Sequence, residues 1–275
     1  MANYDPVYLS IDNRPGIIVS TMDGLLNRRA QQAALVQRRK PIPRALFFIG
    51  LALIGLDLLL GYNSHVFIFA GAAAWIAMFF GWRTLRRAQL SQEFPPHFQT
   101  AREVVHTLRD DLHPQRNFLG QLDLTGTEQP GKLAREGRNA LGLTVAYYRD
   151  EWLNLKTKLY DGNMLRVSAI RRFKVRQGYS KRGRISGKQK WKPPVPKGDQ
   201  QELRVRIAAN PQAYDIGPGA TAKLGTRVGV YTIAQLNASG GIIDLAAHAP
   251  ATTVSAGDML GVLQLAYSLL QRKKA

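Results

Sequence analysis

Cysteine is absent from the 275 residues. Its absence excludes disulfides, thiolate zinc sites, thiol nucleophiles and iron–sulfur clusters, and it agrees with a reducing compartment. Acid is scarce too: 19 Asp and Glu stand against 38 Lys and Arg, a formal charge of +19. A surplus of that size calls for an anionic partner, which is nucleic acid, acidic lipid headgroups or an acidic protein surface. Catalytic signatures are missing as well. His106 and His113 fall two helical turns apart, about 10 Å, too far to share one ion, and no HExxH spacing accompanies them. Gly126 to Lys132 has the spacing of a phosphate-binding loop, but Leu133 stands where Ser or Thr should hold magnesium. Pro130 also removes a backbone N–H from that cradle. The residues name no cofactor and no metal.

What the chain does have is a pair of long apolar runs. Ala45–Tyr62 and Val66–Trp82 flank Asn63-Ser64-His65. As helices each is about 26 Å long, close to the thickness of a bilayer's hydrocarbon core. The first 40 residues lack an apolar stretch, so a cleaved signal peptide does not explain the runs. Arg28, Arg29, Arg38, Arg39, Lys40 and Arg44 precede them, Arg83, Arg86 and Arg87 follow, and the connecting turn has no Lys or Arg. Basic flanks mark the cytoplasmic side, so the spacing predicts a transmembrane hairpin with both termini inside.

Ala73, Ala77 and Gly81 recur every four residues, as do Ala70 and Ala74, a pattern that lets helix backbones approach closely in lipid. Asp57 is the one acid within the runs. An intramembrane carboxylate is a functional-site candidate by default. Here the structural reading is preferred, because Asp57 lies about one turn from Tyr62, where it can reach the outer interface or pair with His65.

Four segments follow from the patterning: a basic N-terminal segment over 1–43, the hairpin over 44–83, a linker over 84–96 marked by Pro95-Pro96, and a cytoplasmic α+β domain over 97–275. Val7–Ile11 and Ile17–Ser20 are short β-prone runs in an otherwise irregular start. Asp23 is placed to cap a basic amphipathic helix over Leu25–Arg39 that lies on headgroups and stops at Pro41 and Pro43. Phe98, Ala101, Val104, Val105, Leu108 and Leu112 repeat at helical spacing, giving a helix over 97–112. Alternation predicts strands at Phe118–Thr125, Leu141–Tyr147, Trp152–Tyr160, Met164–Val175 and Leu203–Ile207. Asp161-Gly162 closes a hairpin between the third and fourth, because glycine accepts the positive φ of a tight turn. Residues 226–247 alternate less cleanly, and Ser255 to Gln271 reads as a closing apolar helix with Asp258 near its start. The sheet is expected to be antiparallel.

The charge concentrates in residues 163–197, which hold twelve Lys or Arg and no acid. Arg171, Arg172, Lys174 and Arg176 put a basic face on a strand. Lys181, Arg182, Arg184, Lys188, Lys190 and Lys192 continue it into a glycine- and proline-punctuated arm with Tyr179 and Trp191. Such an arm suits acidic lipid headgroups or an acidic protein, and the neighbouring membrane favours these over nucleic acid. The Trp152…Asp161-Gly162 pattern followed by a basic strand resembles bacterial membrane proteins. That resemblance implies a bacterial plasma membrane but carries no activity.

The leading expectation is therefore a non-catalytic accessory or scaffold subunit of a membrane assembly, joined to other membrane subunits or to copies of itself. Its hairpin packs through Ala73, Ala77 and Gly81, and its basic residues take the anionic partner. A membrane-anchored nucleic-acid-binding module ranks second. A small transporter or enzyme using Asp57 ranks third.

Overall fold

The computed structural model describes residues 6–60, 66–90, 95–112, 115–185, 187–217, 220–250 and 253–273. They belong to two compact units: Met1–Asp5 with Met22–Phe94, and Pro6–Thr21 with Pro95–Ala275. His65, Tyr62 and His113 lie outside the described residues.

The first unit is helical. Helix α1 (Pro15–Arg39), whose residues up to Thr21 count with the second unit, ends on Arg38 and Arg39, α2 (Pro41–Leu60) follows after Lys40, and α3 (Val66–Leu90) completes the set. Ile17–Ser20 is helical rather than extended, contrary to its β-prone composition. Pro15 opens the helix, its fixed φ suiting a first turn, and the Arg14 carbonyl accepts from the amides of Ile17 and Ile18. Asp23 consequently lies inside α1 and not at its start. Helices α2 and α3 run antiparallel with their backbones closest at Gly50 and Gly71. A Cβ at Gly71 would sit 2.7 Å from Ile54 Cγ1 and 2.9 Å from the Gly50 carbonyl oxygen. The Trp75 indole N–H donates to the Phe47 carbonyl at 3.3 Å, and its ring stacks on Phe47. Apolar side chains remain exposed on the outer faces, among them Phe48, Leu58, Leu59, Phe69 and Trp82. Two helical stretches, Pro15–Leu59 and Val66–Arg86, are long and apolar enough to cross a membrane.

The second unit is built on a nine-stranded sheet, antiparallel throughout. Its strands are β1 (Val7–Asn13), β2 (Phe118–Leu124), β3 (Leu133–Arg138), β4 (Thr144–Lys158), β5 (Met164–Arg176), β8 (Val195–Ala208), β10 (Arg227–Val228), β11 (Tyr231–Ser239) and β12 (Ile242–Ala249). They are ordered β1-β2-β4-β5-β8-β12-β11-β10, with β3 paired to the free half of β4. Two short ladders stand apart: β6 (Tyr179–Arg182) with β7 (Gln189–Lys192), and β9 (Tyr214–Ile216) with β13 (Leu270–Arg272). Alternation places Leu153, Leu155, Val167, Ala169, Leu203, Val205, Ile243 and Leu245 on one buried face. Helices α4 (Pro96–Leu108) and α5 (Ala256–Ser268) pack there through residues such as Val104, Val105, Met259 and Val262.

Sequence signals explain several boundaries. Ser255 and Asp258 make a reciprocal capping box that starts α5. Between β4 and β5, Gly162 takes φ +90° while the Asn163 amide bonds the Asp161 carboxylate at 3.0 Å. The two runs Leu141–Tyr147 and Trp152–Tyr160 merge into the single strand β4. A register shift between Glu151 and Leu153 turns the alternation over in mid-strand and hides the continuity.

Candidate anionic-partner surface

Strand β5 carries the first half of the basic stretch, and its register sorts the cations by face. Arg172, Lys174 and Arg176 stand opposite Arg149, Tyr147 and Val145 of β4, while Arg171 points to the other side with Phe173 and Val175. Both arginines at 171 and 172 are ion-paired within the chain, Arg172 sharing its acid with Arg204. Arg171 makes a two-pronged ion pair with Asp199 of β8, at 2.9 and 2.5 Å, and also donates to the Thr127 hydroxyl at 3.2 Å. The Asp199 bond holds the guanidinium above its ordinary value. Arg172 and Arg204 clamp the two oxygens of Glu202, at 2.5 and 2.6 Å, and that carboxylate is only 1% exposed. Burial works to raise the Glu202 carboxyl, but hydrogen bonds from Arg204 and Arg172 outweigh it and hold the group below its usual range. Lys174 lies 5.2 Å over the Tyr147 ring and Arg176 lies 5.0 Å over Tyr179, so aromatic faces occupy these two.

Below Arg171 the charges continue inward. Lys132 Nζ sits 2.7 Å from Asp150 and 3.0 Å from Asp123, with all three side chains largely buried. The Thr127 hydroxyl donates to the second Asp150 oxygen at 2.9 Å. Burial dominates at Asp150 and raises it despite Lys132. At Asp123 burial acts in the same direction, but Thr125 and Lys132 overcome it and lower the group. This arrangement also settles residues 126–132: Lys132 is turned toward two carboxylates, away from any loop cradle. On the same side His97 of α4 stacks on Trp152, with ring centroids 4.4 Å apart, and lies 3.5 Å from the Gln201 amide. Burial and the charge of Arg171 push His97 down to about 4, so it is neutral near pH 7.

The ribbon β6–β7 differs. Lys181, Arg182, Arg184, Lys188, Lys190 and Lys192 are exposed and interspersed with no acid. Among the described residues, none of the six forms an ion pair. Tyr179 pairs with Lys192 and Lys181 pairs with Lys190 on one face, while Ser180 pairs with Trp191 on the other. Trp191 is packed over Gly178, where any side chain would collide with its ring. At the closing turn Ile185 is fully exposed.

The remaining expected site residues are placed as follows. Ala73 and Ala77 are exposed on α3, outside the Gly50–Gly71 contact, and Gly81 is half-buried near Pro43. Asp57 is buried, at 4% exposure, so it does not reach outward to solvent. Sequence reasoning missed the acids that answer the basic strand, Asp199 and Glu202, and the Lys132 cluster. An available signal was Asp150-Glu151, two acids in the middle of an alternating strand, where an acid on the inward face must find a cation. Among the described residues no cluster of His, Asp or Glu is arranged to hold a metal ion. Comparison with protein-family models, curated proteins and solved structures finds no match to this chain.

Proposed function

We propose that this chain is a non-catalytic adaptor subunit of a membrane assembly, anchored by α2 and α3 as a transmembrane hairpin. In this reading the sheet unit is a cytoplasmic α+β domain that presents a basic surface to an anionic partner. The exposed apolar faces of α2 and α3 support the anchor, since helices apolar all round need a non-aqueous surrounding. Basic residues flanking both helices at their outer ends support the cytoplasmic orientation. The observation that carries the partner surface is the division of the cations. Arg171 and Arg172 are matched by Asp199 and Glu202, whereas among the described residues no acid pairs with the six of the ribbon.

The test follows from that division. Full-length chain with Lys181, Arg182, Lys188 and Lys190 changed to Gln is purified from native membranes in mild detergent at low salt. Co-eluting proteins and lipids are then identified against the unchanged chain. Loss of a stoichiometric protein partner or of co-eluting anionic lipid supports the reading, and unchanged retention of both refutes it. Substituting Arg171 or Arg172 instead would test folding, because both close internal ion pairs.

A second reading, a membrane-anchored nucleic-acid-binding module, draws on the open sheet face. There Lys156, Arg166 and Arg206 stand side by side across β4, β5 and β8, all exposed. It requires binding to DNA or RNA that weakens steeply with salt.

A further inference from the structure

We propose that the β6–β7 ribbon docks on the anionic phospholipid headgroups of a bilayer, with Ile185 entering the interface at its tip. The proposal rests on the membrane-anchored adaptor reading and names the partner of its basic surface.

Three features of the ribbon point to lipid. First, the register sets Lys181 directly across from Lys190. Like charges at facing positions of an antiparallel pair repel, so this face is held together best when anions lie against it. A sheet of phosphate and carboxylate headgroups supplies many at once. Secondly, the turn leaves an apolar side chain fully exposed. The Gly183 amide donates to the Lys188 carbonyl and the Arg182 guanidinium donates to the Gly187 carbonyl, closing the loop and leaving Ile185 outside it. Its relative exposure is 102%, so folding covers none of it. Isoleucine gains nothing from a phosphate backbone or an acidic protein rim. It does gain where headgroups give way to acyl chain, with Arg184 and Lys188 on either side to stay in the charged layer. Thirdly, Trp191 is 64% exposed one residue pair behind Lys181 and Lys190 as counted from the tip, on the opposite face. Tryptophan prefers the depth at which headgroups meet hydrocarbon.

Nucleic acid is the competing anion. Stacking platforms for bases need aromatic faces free on the side that meets the strand. Here the Tyr179 ring already carries Arg176, and Trp191, packed over Gly178 on one side, offers a single platform where a strand of bases needs several. The apolar tip decides for lipid.

The chain has no cysteine, so Ile185→Cys introduces a single thiol at a fully exposed position, where the exchange disturbs no packing. The full-length variant, labelled there with a polarity-sensitive fluorophore, is reconstituted into nanodiscs of phosphatidylcholine alone or of phosphatidylcholine mixed with phosphatidylserine. The expected result is a blue-shifted, brighter emission in the anionic discs only. It should be reversed as salt shortens the screening length from about 10 Å at 0.1 M to about 3 Å at 1 M. Changing Lys181, Lys188, Lys190 and Lys192 to Gln should abolish the response. Each cation near an anionic leaflet is worth roughly fivefold in partition. A second readout avoids the label: in the otherwise unchanged chain, brominated phosphatidylserine quenches tryptophan emission, and the quenching falls on Trp191→Phe. Label emission that is identical in the two kinds of disc, or quenching by brominated phosphatidylserine that Trp191→Phe leaves unchanged, overturns the proposal. So does a shift that needs added single-stranded oligonucleotide. In both cases the adaptor reading is judged separately, by the protein partners that co-purify.

Discussion

Lys132→Met isolates the buried charge cluster of the sheet unit. Its ammonium bridges Asp150 at 2.7 Å and Asp123 at 3.0 Å, with side-chain exposures of 12%, 7% and 19%. Methionine fills the space but removes the charge, leaving two carboxylates aimed at one point with only Thr127 and Thr125 to answer them. Removing one partner of a buried ion pair costs about 3–5 kcal/mol. Partial exposure of Asp123 lets water in and brings the expected loss to about 2–4 kcal/mol. For a unit of about 200 residues that lowers the midpoint of thermal unfolding by roughly 10 °C. The pH dependence gives a second check. In the unchanged protein Asp123 is held low, and its stabilising effect is lost as pH falls through its folded value. Asp150 is held high, so its contribution is fully present in acid and is lost as pH rises through its folded value. Without Lys132 both acids move upward. The variant is therefore weakest at neutral pH and approaches the parent as the pH falls. Thermal unfolding of the detergent-solubilised chain, followed by fluorescence of buried Trp152 in a background where Trp75, Trp82 and Trp191 are Phe, measures both effects. A loss under about 1 kcal/mol at neutral pH would refute the reasoning. A gap that stays constant between about pH 7.5 and pH 4.5 would refute it equally. Adding Asp123→Asn and Asp150→Asn to Lys132→Met should restore most of the stability, since no bare charge then remains buried.

Other consequences can be measured in the same preparations. His97 is depressed to about 4, so the unfolded chain takes up its proton first. Stability should fall by up to about 3 kcal/mol as pH drops from about 6.5 to about 4, and His97→Phe should flatten that slope in urea titrations while keeping the stack on Trp152. Gly71→Val forces a branched side chain against Ile54 and the Gly50 carbonyl and should cost several kcal/mol of helix-pair stability, read as loss of a detergent-resistant fold. Leucine at the exposed Ala73 or Ala77 should leave that pair intact, and equal disruption by the two kinds of change would refute the Gly50–Gly71 contact as the seam. Gly162→Ala meets both a φ of +90° and the Asn210 amide at 2.8 Å, so the β4–β5 hairpin should lose about 1–2 kcal/mol in urea unfolding.

Much of the architecture is legible in the sequence because local rules govern it. The Asp161-Gly162 turn, the strands on either side, the apolar lengths of α2 and α3 and the Ser255 cap all depend on residues a few positions apart. Local rules fail where distant partners decide the outcome. Ile17–Ser20 has β-branched composition, yet Ile18 and Val19 are buried on a helix opened by Pro15. Alternation splits strand β4 in two because its register shift reverses the pattern. The basic strand is the clearest case. Arg171 and Arg172 look as available as Lys181 and Arg182 when charges are counted along the chain. Only the β5–β8 register brings Asp199 and Glu202, about thirty residues on, to pair with the first two. Small residues in α3 offer two possible seams, and spacing alone does not choose between Gly71 and Ala73.

The pairing of β1 with β2 has a consequence for the order in which the chain can be made. Asn13 faces Phe118 and Val7 faces Leu124, and the whole of α2 and α3 is translated in the interval. At about 5–20 residues per second, β1 waits roughly 5–20 seconds for the strand that covers it. During that time both apolar helices have left the ribosome, while Val7 and Ile11, buried in the finished sheet, have no ladder to join. The sheet unit is thus begun before α2 and α3 and closed only after them. Delivery of α2 and α3 to their final surroundings becomes a step in the assembly of the sheet, and a chain stalled there carries an open β edge.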